Sequence, residues 1–192
     1  MQPITAIILA AGRSRRFGRD KRLEPVDGVP MLLRTALAYQ GVLPDTTVIL
    51  GREDHEHAAM LAAHGIASLL TEASEGGMGG TLSWAVRRHA QAQGWLITPA
   101  DLPFIRPATI RKVLDAAADH PLAAPVHQGL RGHPVWFHHR YLPELSAIQG
   151  DQGAKSVLAA HRRDLCLIDV DDAGCVRDVD QASDLAMRPA SP

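Results

Sequence analysis

The feature that most constrains this chain is an apolar run near its start that passes directly into a basic segment containing glycine. The run Ile4–Leu9 is rich in isoleucine and ends in small residues, a pattern typical of a central strand in a parallel sheet. Residues 10–21 then contain two glycines, four arginines and one lysine. Small residues let backbone N–H groups approach a ligand closely, and the cations neutralise phosphate. Because open α/β sheets bind ligands at the carboxyl ends of their strands, we predict that this segment holds a triphosphate.

Two better-known phosphate-binding loops do not match this segment. A P-loop has four residues between its glycines and a hydroxyl residue after its lysine. Here five residues separate Gly12 from Gly18, and Lys21 is followed by arginine. The dinucleotide fingerprint G-x-G-x-x-G is also absent from the segment. The alternative is a basic surface loop that binds no ligand. The coincidence of a strand, small residues and cations favours phosphate binding instead.

The composition narrows the possible partners and compartments. The 192 residues suffice for one domain, which we assign to residues 1–188, followed by a frayed tail at residues 189–192. The net charge of −1 predicts neither nucleic-acid nor membrane binding, so the basic charge near the start is local, as a small anionic ligand requires. No signal peptide or membrane-spanning run is visible, and the two cysteines do not form a C-x-x-C pair. We therefore expect a cytoplasmic protein with reduced thiols.

Strand and helix patterns alternate along the chain. We predict strands at residues 4–9, 46–50, 66–70, 95–98, 122–126 and 165–170, and helices at residues 30–39, 54–64, 84–93, 107–119, 153–160 and 181–187. This alternation predicts a three-layer, Rossmann-like α/β fold, with a mostly parallel sheet and helices on both faces. Residues 134–137 follow a glycine-rich turn, and we predict an antiparallel excursion there.

A second glycine-rich stretch precedes the helix predicted at residues 84–93. Four of the five residues 76–80 are glycine, which is too flexible for a core element. We predict that Thr81 is the N-cap of this helix, whose free N–H groups could meet an anion or a base edge. A loop without a ligand is the alternative.

Carboxylates form the third candidate group. Asp101 lies just past the strand at residues 95–98, on the same edge of the sheet as the basic segment. It could hold a divalent cation, which a triphosphate needs to neutralise its charge, or it could cap the next turn. Asp178 and Asp180 alternate along an extended chain and therefore share one face, so Asp180 is the candidate second metal ligand.

Several motifs resemble those of one known family, the MobA-like nucleotidyltransferases, and within it the molybdenum cofactor cytidylyltransferase branch. The first is Leu9-Ala10-Ala11-Gly12-Arg13-Ser14-Arg15-Arg16-Phe17-Gly18, followed by Lys21. The others are Gly77-Met78-Gly79, Pro99-Ala100-Asp101-Leu102-Pro103, Gly132-His133-Pro134-Val135-Trp136-Phe137 and Asp178-Val179-Asp180 with Asp184-Leu185. The resemblance spans nearly the whole chain and implies the fold of the nucleotide-diphospho-sugar transferases.

The resemblance also implies a role for each candidate residue. The nucleotide-binding residues would be Leu9, Ala10, Ala11, Gly12, Arg13, Ser14, Lys21, Gly77, Gly79 and Thr81. Arg13, Lys21 and Asp101 would be catalytic, and Asp101 with Asp180 would hold the cofactor Mg²⁺. Gly132, His133 and Asp151 would lie on the acceptor side, although His133 could equally be structural and Asp151 could cap the helix that follows.

The activity that the resemblance implies is transfer of CMP from CTP to molybdenum-bearing molybdopterin, with release of pyrophosphate. The alternatives are guanylyl transfer, nucleotidyl transfer to another small phosphate such as a sugar phosphate, and a non-catalytic protein that binds nucleotide or delivers cofactor. The implied partners are CTP or GTP, a pterin phosphate acceptor, and transiently a molybdenum hydroxylase or its chaperone. We expect a monomer.

Overall fold

The computed structural model describes residues 3–12, 20–151, 153–181 and 184. The strands of this part of the chain are β1 (Ile4–Leu9), β2 (Pro25–Val26), β3 (Val29–Pro30), β4 (Thr46–Gly51), β5 (Ala67–Thr71), β6 (Gly94–Pro99), β7 (Leu122–His127), β8 (Leu130–Arg131), β9 (Val135–His138) and β10 (Leu165–Asp169). The α-helices are α1 (Met31–Gln40), α2 (His55–Ala63), α3 (Gly77–Arg88), α4 (Pro107–Ala116), α5 (Leu142–Ser146) and α6 (Lys155–Ala160). Short 3-10 turns cover Lys21–Leu23, Ala73–Gly76, His139–Tyr141 and Ala173–Cys175.

Most of the strands form one mixed sheet. Its order is β10-β7-β9-β6-β1-β4-β5, and β8 pairs with β7 beside this path. The pairs β1–β4, β1–β6, β4–β5 and β7–β10 are parallel. The strand β9 runs antiparallel between β6 and β7, which confirms the predicted antiparallel excursion and places it inside the sheet. The predicted mostly parallel sheet is therefore confirmed.

Helices cover both faces of the sheet because successive side chains of a strand point to opposite faces. On β1, Ala6 and Ile8 pack in a cluster that includes side chains of α1, α2 and α4. Ile7 packs instead in a cluster with side chains of α3, α5 and α6. These three β1 residues have no exposed surface, as expected for a central strand covered on two sides. The three-layer prediction is thus confirmed.

Two local predictions need correction, and one helix was not predicted. The glycine-rich stretch does not precede a helix at residue 84, because α3 already begins at Gly77 and ends at Arg88. Pro30 ends β3 and precedes α1, whereas we predicted that it begins the helix. Tertiary contacts stabilise α5, which the sequence patterns did not indicate, through its packing on α3. Most of the predicted helix at residues 181–187 lies outside the described residues.

None of the helices that the structure describes combines the length and the apolar character needed to cross a membrane.

Candidate functional site

The predicted binding segments meet where β1 and β6 end. These strands pair in parallel with Leu9 opposite Pro99, so their carboxyl ends lie side by side. The backbone N–H of Ala100 donates a hydrogen bond to the Leu9 carbonyl (3.1 Å). The exits of the two strands therefore bring residues 9–12 of the first motif and Asp101 to the same edge of the sheet, as the strand pattern predicted.

Lys21 connects this edge to the carboxylates. It begins a 3-10 turn whose N-cap, Asp20, accepts a hydrogen bond from the backbone N–H of Arg22 (3.0 Å). The Lys21 ammonium lies 2.8 Å from Asp101 Oδ2 and 3.2 Å from Asp180 Oδ1, and it also donates to the Val179 carbonyl (2.9 Å). A single cation thus contacts both carboxylates that the sequence analysis assigned to the metal.

A C-terminal segment, residues 176–181, carries the other carboxylates to this edge. The Val179 side chain is fully buried against Val26 and Met31, and its backbone N–H donates to the Asp101 carbonyl (3.0 Å). Because Val179 points inward, the chain on either side of it presents Asp178 and Asp180. We call Asp101, Asp178 and Asp180 the carboxylate cluster.

In the part of the chain that the structure describes, the carboxylate cluster carries an excess of negative charge. Burial raises the pKa of Asp178, and the nearby charges of Asp101 and Asp180 raise it further. Burial lowers the pKa of Lys21, but attraction to Asp101 and Asp180 outweighs that effect, so its pKa is raised and the ammonium stays charged. Among the described residues, three carboxylates lie near the single ammonium of Lys21, an arrangement that favours a further cation.

The same residues fit a magnesium ion. Within the described residues, Asp101 Oδ1 is buried without a hydrogen-bond partner, so an acceptor oxygen is left for a cation. No three His, Cys, Asp or Glu side chains of that part of the chain form a complete metal site. Mg²⁺ does not require one, because it commonly uses one or two carboxylates together with substrate phosphates and water.

A cavity of about 420 Å³ lies beside the carboxylate cluster. Its apolar wall includes Leu82, Val135, Phe137 and Leu158. Among the described residues, its charged lining residues are Asp101, Arg131, Asp151, Lys155 and Asp178. An apolar cavity of this size with a few polar groups is typical of a small-molecule site.

Gly132 and His133, two predicted acceptor residues, line this cavity. A Cβ atom added to Gly132 would overlap the Cys175 carbonyl, so the backbones can meet only without a side chain. The His133 N–H donates to that carbonyl (2.8 Å), and its ring Nδ1 lies 3.5 Å from the Ile97 carbonyl oxygen. Burial lowers the pKa of His133 and outweighs the raising effects of the Ile97 carbonyl and the Asp101 charge, so a neutral imidazole borders the cavity.

The glycine-rich stretch packs against the segment that contains Asp151. The backbone N–H of Gly79 donates to the Gly150 carbonyl (2.7 Å), and Gly77 has a positive φ of 78°. Met78, between the two glycines, lines the cavity together with Asp151. Asp151 does not cap α6, because that helix begins at Lys155 after Ala154 and has no side-chain cap.

Thr81 is not an N-cap, so this prediction was wrong. It lies in the second turn of α3, where its hydroxyl donates to the Gly77 carbonyl (3.2 Å), and it is buried. Thr81 lies inside the helix because α3 begins at Gly77, earlier than predicted. Close packing of Gly79 against Gly150 lets glycines occupy a helix that their intrinsic propensity disfavours.

We expect Gly79→Ala to destabilise the protein, while Gly76→Ala serves as the matched control. An added Cβ at Gly79 would lie 2.7 Å from the Gly150 carbonyl oxygen and 2.7 Å from a methyl group of Ile148. No described atom lies within 4 Å of a Cβ added at Gly76. Overpacking should lower the free energy of unfolding by about 1–3 kcal/mol in Gly79→Ala. Equal urea midpoints for the two variants would contradict the packing argument.

The remaining predicted residues divide into two groups. Leu9, Ala10, Ala11 and Gly12 form the exit of β1, where Leu9 lines the cavity, Ala10 and Ala11 are buried, and Gly12 is exposed. Arg13 and Ser14 lie outside the described residues.

The structure also adds residues that the sequence analysis did not select. Arg131 and Lys155 bring positive charge to the cavity, and Asp178 joins the carboxylate cluster. Their sequence signals were weak: Arg131 directly precedes the Gly132-His133 motif, and Asp178 shares the alternation of Asp180.

Several known proteins are similar in sequence to most of this chain. The probable molybdenum cofactor guanylyltransferase of Bacillus cytotoxicus is 27% identical over 146 residues, covering 75% of this chain and 72% of that protein. The purine catabolism protein PucB of Bacillus subtilis is 26% identical over 198 residues, covering 96% and 95%. The bifunctional enzyme IspD/IspF of Rhodospirillum rubrum is 36% identical over 141 residues, but the match covers 65% of this chain and only 34% of that enzyme.

A solved structure and a family model also match most of the chain. The crystal structure of Rv0371c from Mycobacterium tuberculosis H37Rv superimposes with a TM-score of 0.84 at 30% identity, covering 96% of both chains. The model of the MobA-like NTP transferase domain matches residues 6–165. Because this match spans most of the 192 residues, the chain belongs to the MobA-like NTP transferase family.

Proposed function

We propose that this protein transfers CMP from CTP to the phosphate of molybdenum-bearing molybdopterin, forming the cytosine dinucleotide and pyrophosphate. The observation that carries the proposal is the meeting of Lys21 with Asp101 and Asp180 at the edge of the sheet, beside a cavity, in a member of the MobA-like family. Two relatives are named as molybdenum cofactor guanylyltransferases, which supports a molybdopterin acceptor. The name of PucB, a purine catabolism protein, is compatible with a client enzyme resembling xanthine dehydrogenase.

The chemistry is an in-line displacement at phosphorus. An oxygen of the acceptor phosphate attacks the α-phosphorus of CTP, and the bond to the bridging oxygen breaks as pyrophosphate leaves. Such a transfer needs no covalent enzyme intermediate, because positioning and charge neutralisation supply most of the catalysis. Lys21 would neutralise charge on the triphosphate, and the exit of β1 at Ala10, Ala11 and Gly12 would present backbone N–H groups to it.

Asp101 and Asp180 would hold the magnesium ion, with Asp178 beside them. When bound, the ion would supply positive charge that offsets the negative charge developing on the triphosphate. A structure of Rv0371c in complex with manganese supports a divalent cation in this family. In the proposed enzyme, Lys21 would balance the carboxylate charge whenever nucleotide is absent, in keeping with its contacts to Asp101 and Asp180.

The cavity would receive the acceptor. Its apolar wall suits a flat ring system, while Arg131 and Lys155 would attract the acceptor's negative charge. The neutral imidazole of His133 would offer one hydrogen bond to the ring or its phosphate. Asp151 would contact the acceptor from the segment that packs on Gly77 and Gly79.

We expect a preference for CTP over GTP, and a shift toward GTP in Ala11→Gly. The cytidylyl branch carries Leu-Ala-Ala-Gly in the first motif, as here, whereas the guanylyl branch carries Leu-Ala-Gly-Gly. Ala11 is only 7% exposed, so its methyl group occupies packed space at the strand exit. A one-ring base should tolerate that methyl group better than a two-ring base, although several contacts usually share base selection.

The base prediction is tested by kcat/KM for both triphosphates with one acceptor. Ala92→Gly, at another buried alanine in a different part of the fold, controls for loss of a methyl group. A native preference for GTP would support the alternative, a guanylyltransferase, which the names of several relatives favour. If Ala11→Gly leaves the preference between CTP and GTP unchanged, the Ala11 methyl group does not select the base, but the proposed cytidylyl transfer still stands.

One experiment separates the proposed function from its competitors. The protein is incubated with magnesium, each nucleoside triphosphate in turn and, in separate reactions, molybdenum-loaded molybdopterin or a sugar phosphate, and the product is identified by mass. A cytosine dinucleotide with equimolar pyrophosphate supports the proposal, whereas a sugar nucleotide formed only with sugar phosphates would redirect the acceptor assignment. Nucleotide binding without pyrophosphate release would instead support a non-catalytic accessory protein.

A further inference from the structure

Arg22 makes an unusually complete set of contacts for an arginine beside a candidate active site. Its Nε donates to Asp20 Oδ1 (2.8 Å) and its Nη2 to Asp20 Oδ2 (2.7 Å). Its two terminal nitrogens also contact both oxygens of Asp54 (2.5 and 2.8 Å), and Nη1 donates to the Ala10 carbonyl (2.7 Å). These five contacts match the five N–H donors of a guanidinium group.

The partners of Arg22 come from three separate parts of the fold. Ala10 is the first residue after β1, Asp20 caps the 3-10 turn that begins with Lys21, and Asp54 lies between β4 and α2. Asp54 is itself fixed, because its Oδ2 accepts a hydrogen bond from the backbone N–H of Gly51 (2.8 Å). Arg22 therefore joins the exit of β1 and the Lys21 turn to the connection that follows β4.

The surroundings of Arg22 require a planar cation. Its side chain is only 10% exposed, and its two carboxylate partners outnumber it in charge. Burial lowers its pKa, but hydrogen bonds and attraction to Asp20 and Asp54 outweigh that effect and leave it raised. His57 Nε2 lies 3.0 Å from Asp20 Oδ2 and closes the cluster on one side. A lysine could not make paired contacts with two carboxylates and reach a carbonyl as well.

We propose that Arg22 is a positioning residue for nucleotidyl transfer, which holds Lys21 and the exit of β1 in register with the carboxylate cluster. The inference rests on the proposed function, because it assumes that Lys21 acts on the triphosphate. Arg22 does not line the cavity, and its side chain bonds to Asp20, Asp54 and Ala10 instead of the carboxylate cluster. It acts through Ala10 and through Lys21, the residue before it. Misplacement of a reacting group by about 1 Å can reduce the rate by about a hundredfold.

The test compares Arg22→Lys and Arg22→Ala with Ile110→Ala, a control in α4. Ile110 is fully buried and takes no part in the hydrogen bonds of Arg22 to Asp20, Asp54 and Ala10, so its truncation should destabilise the fold and leave those hydrogen bonds in place. We expect both Arg22 variants to lose kcat by about a hundredfold, as a misplaced catalytic group does. Ile110→Ala should keep its kcat per folded molecule. Methylguanidinium should restore kcat in Arg22→Ala, while methylammonium should not.

A readout that does not depend on turnover separates this inference from the proposed function. Backbone hydrogen exchange at residues 10–12 and 20–24 should accelerate in Arg22→Lys, but not in Ile110→Ala. If the native protein shows no turnover with any triphosphate, the proposed function fails, and the exchange data still decide whether Arg22 positions these segments. An unchanged kcat in Arg22→Lys, an equal loss in Ile110→Ala, unchanged exchange or failure of methylguanidinium rescue would overturn the inference.

Discussion

Asp101→Asn is expected to abolish turnover while the protein stays folded. The amide keeps the size of the carboxylate but loses the charge that a hard divalent cation needs. A bound cation can supply several kcal/mol of charge stabilisation, so a fall in kcat of at least about a thousandfold is expected. The fold should survive, because the substitution weakens the contact with Lys21 but also relieves repulsion with Asp178.

Pyrophosphate release at saturating magnesium measures this effect, and circular dichroism monitors the fold. Asp119→Asn, at an exposed position just after α4, is the matched control and should retain native kcat. The kcat of Asp178→Asn is compared with that of Asp101→Asn, because both residues belong to the carboxylate cluster. Near-native activity of folded Asp101→Asn would exclude Asp101 as the main metal ligand.

Lys21→Ala should lower kcat by about a hundredfold, the usual effect of losing one preorganised charge-stabilising group. The structure adds a second expected result. Because the Lys21 ammonium contacts Asp101 and Asp180, its removal leaves their charges without this partner. Mn²⁺ should therefore bind more tightly to Lys21→Ala than to the native protein when nucleotide is absent.

The two effects of Lys21→Ala are measured separately. Pyrophosphate release gives kcat, and electron paramagnetic resonance of free Mn²⁺ gives the affinity of the protein without nucleotide. Lys112→Ala removes the same charge from an exposed position on α4 and should change neither quantity. Full activity in Lys21→Ala would assign charge neutralisation to other cations. An unchanged Mn²⁺ affinity would show that Lys21 does not compete for the carboxylates.

Most of the fold could be predicted because its elements carry local signals. The alternation of apolar strands with helical patterns is visible in the sequence, and parallel strands place their carboxyl ends at one edge of the sheet. For this reason the strand pattern alone places the exit of β1 and Asp101 at the same edge of the sheet, whereas the pairing of β1 with β6 that makes them neighbours is seen only in the structure. The antiparallel direction of β9 was also predicted from the glycine-rich turn that precedes it in the chain.

Predictions failed where long-range packing overrides local preference. A run of glycines disfavours a helix, yet α3 begins within that run because its backbone packs closely against Gly150. Thr81 looked like a cap because the helix was expected to begin after it, but it is buried in the helix interior. Contacts between residues about 70 positions apart leave no pattern in the local sequence.

The sequence by itself determined the class of fold, the segments that meet at the carboxyl edge of the sheet, and the resemblance to nucleotidyltransferases. These properties depend on periodicity and on short motifs, which neighbouring residues specify. Only the tertiary structure decided which charges meet: Lys21 with Asp101 and Asp180, and Arg22 with Asp20, Asp54 and Ala10. Electrostatic attraction acts through space across chain separations of up to 159 residues, so only the folded chain selects which charged side chains become partners.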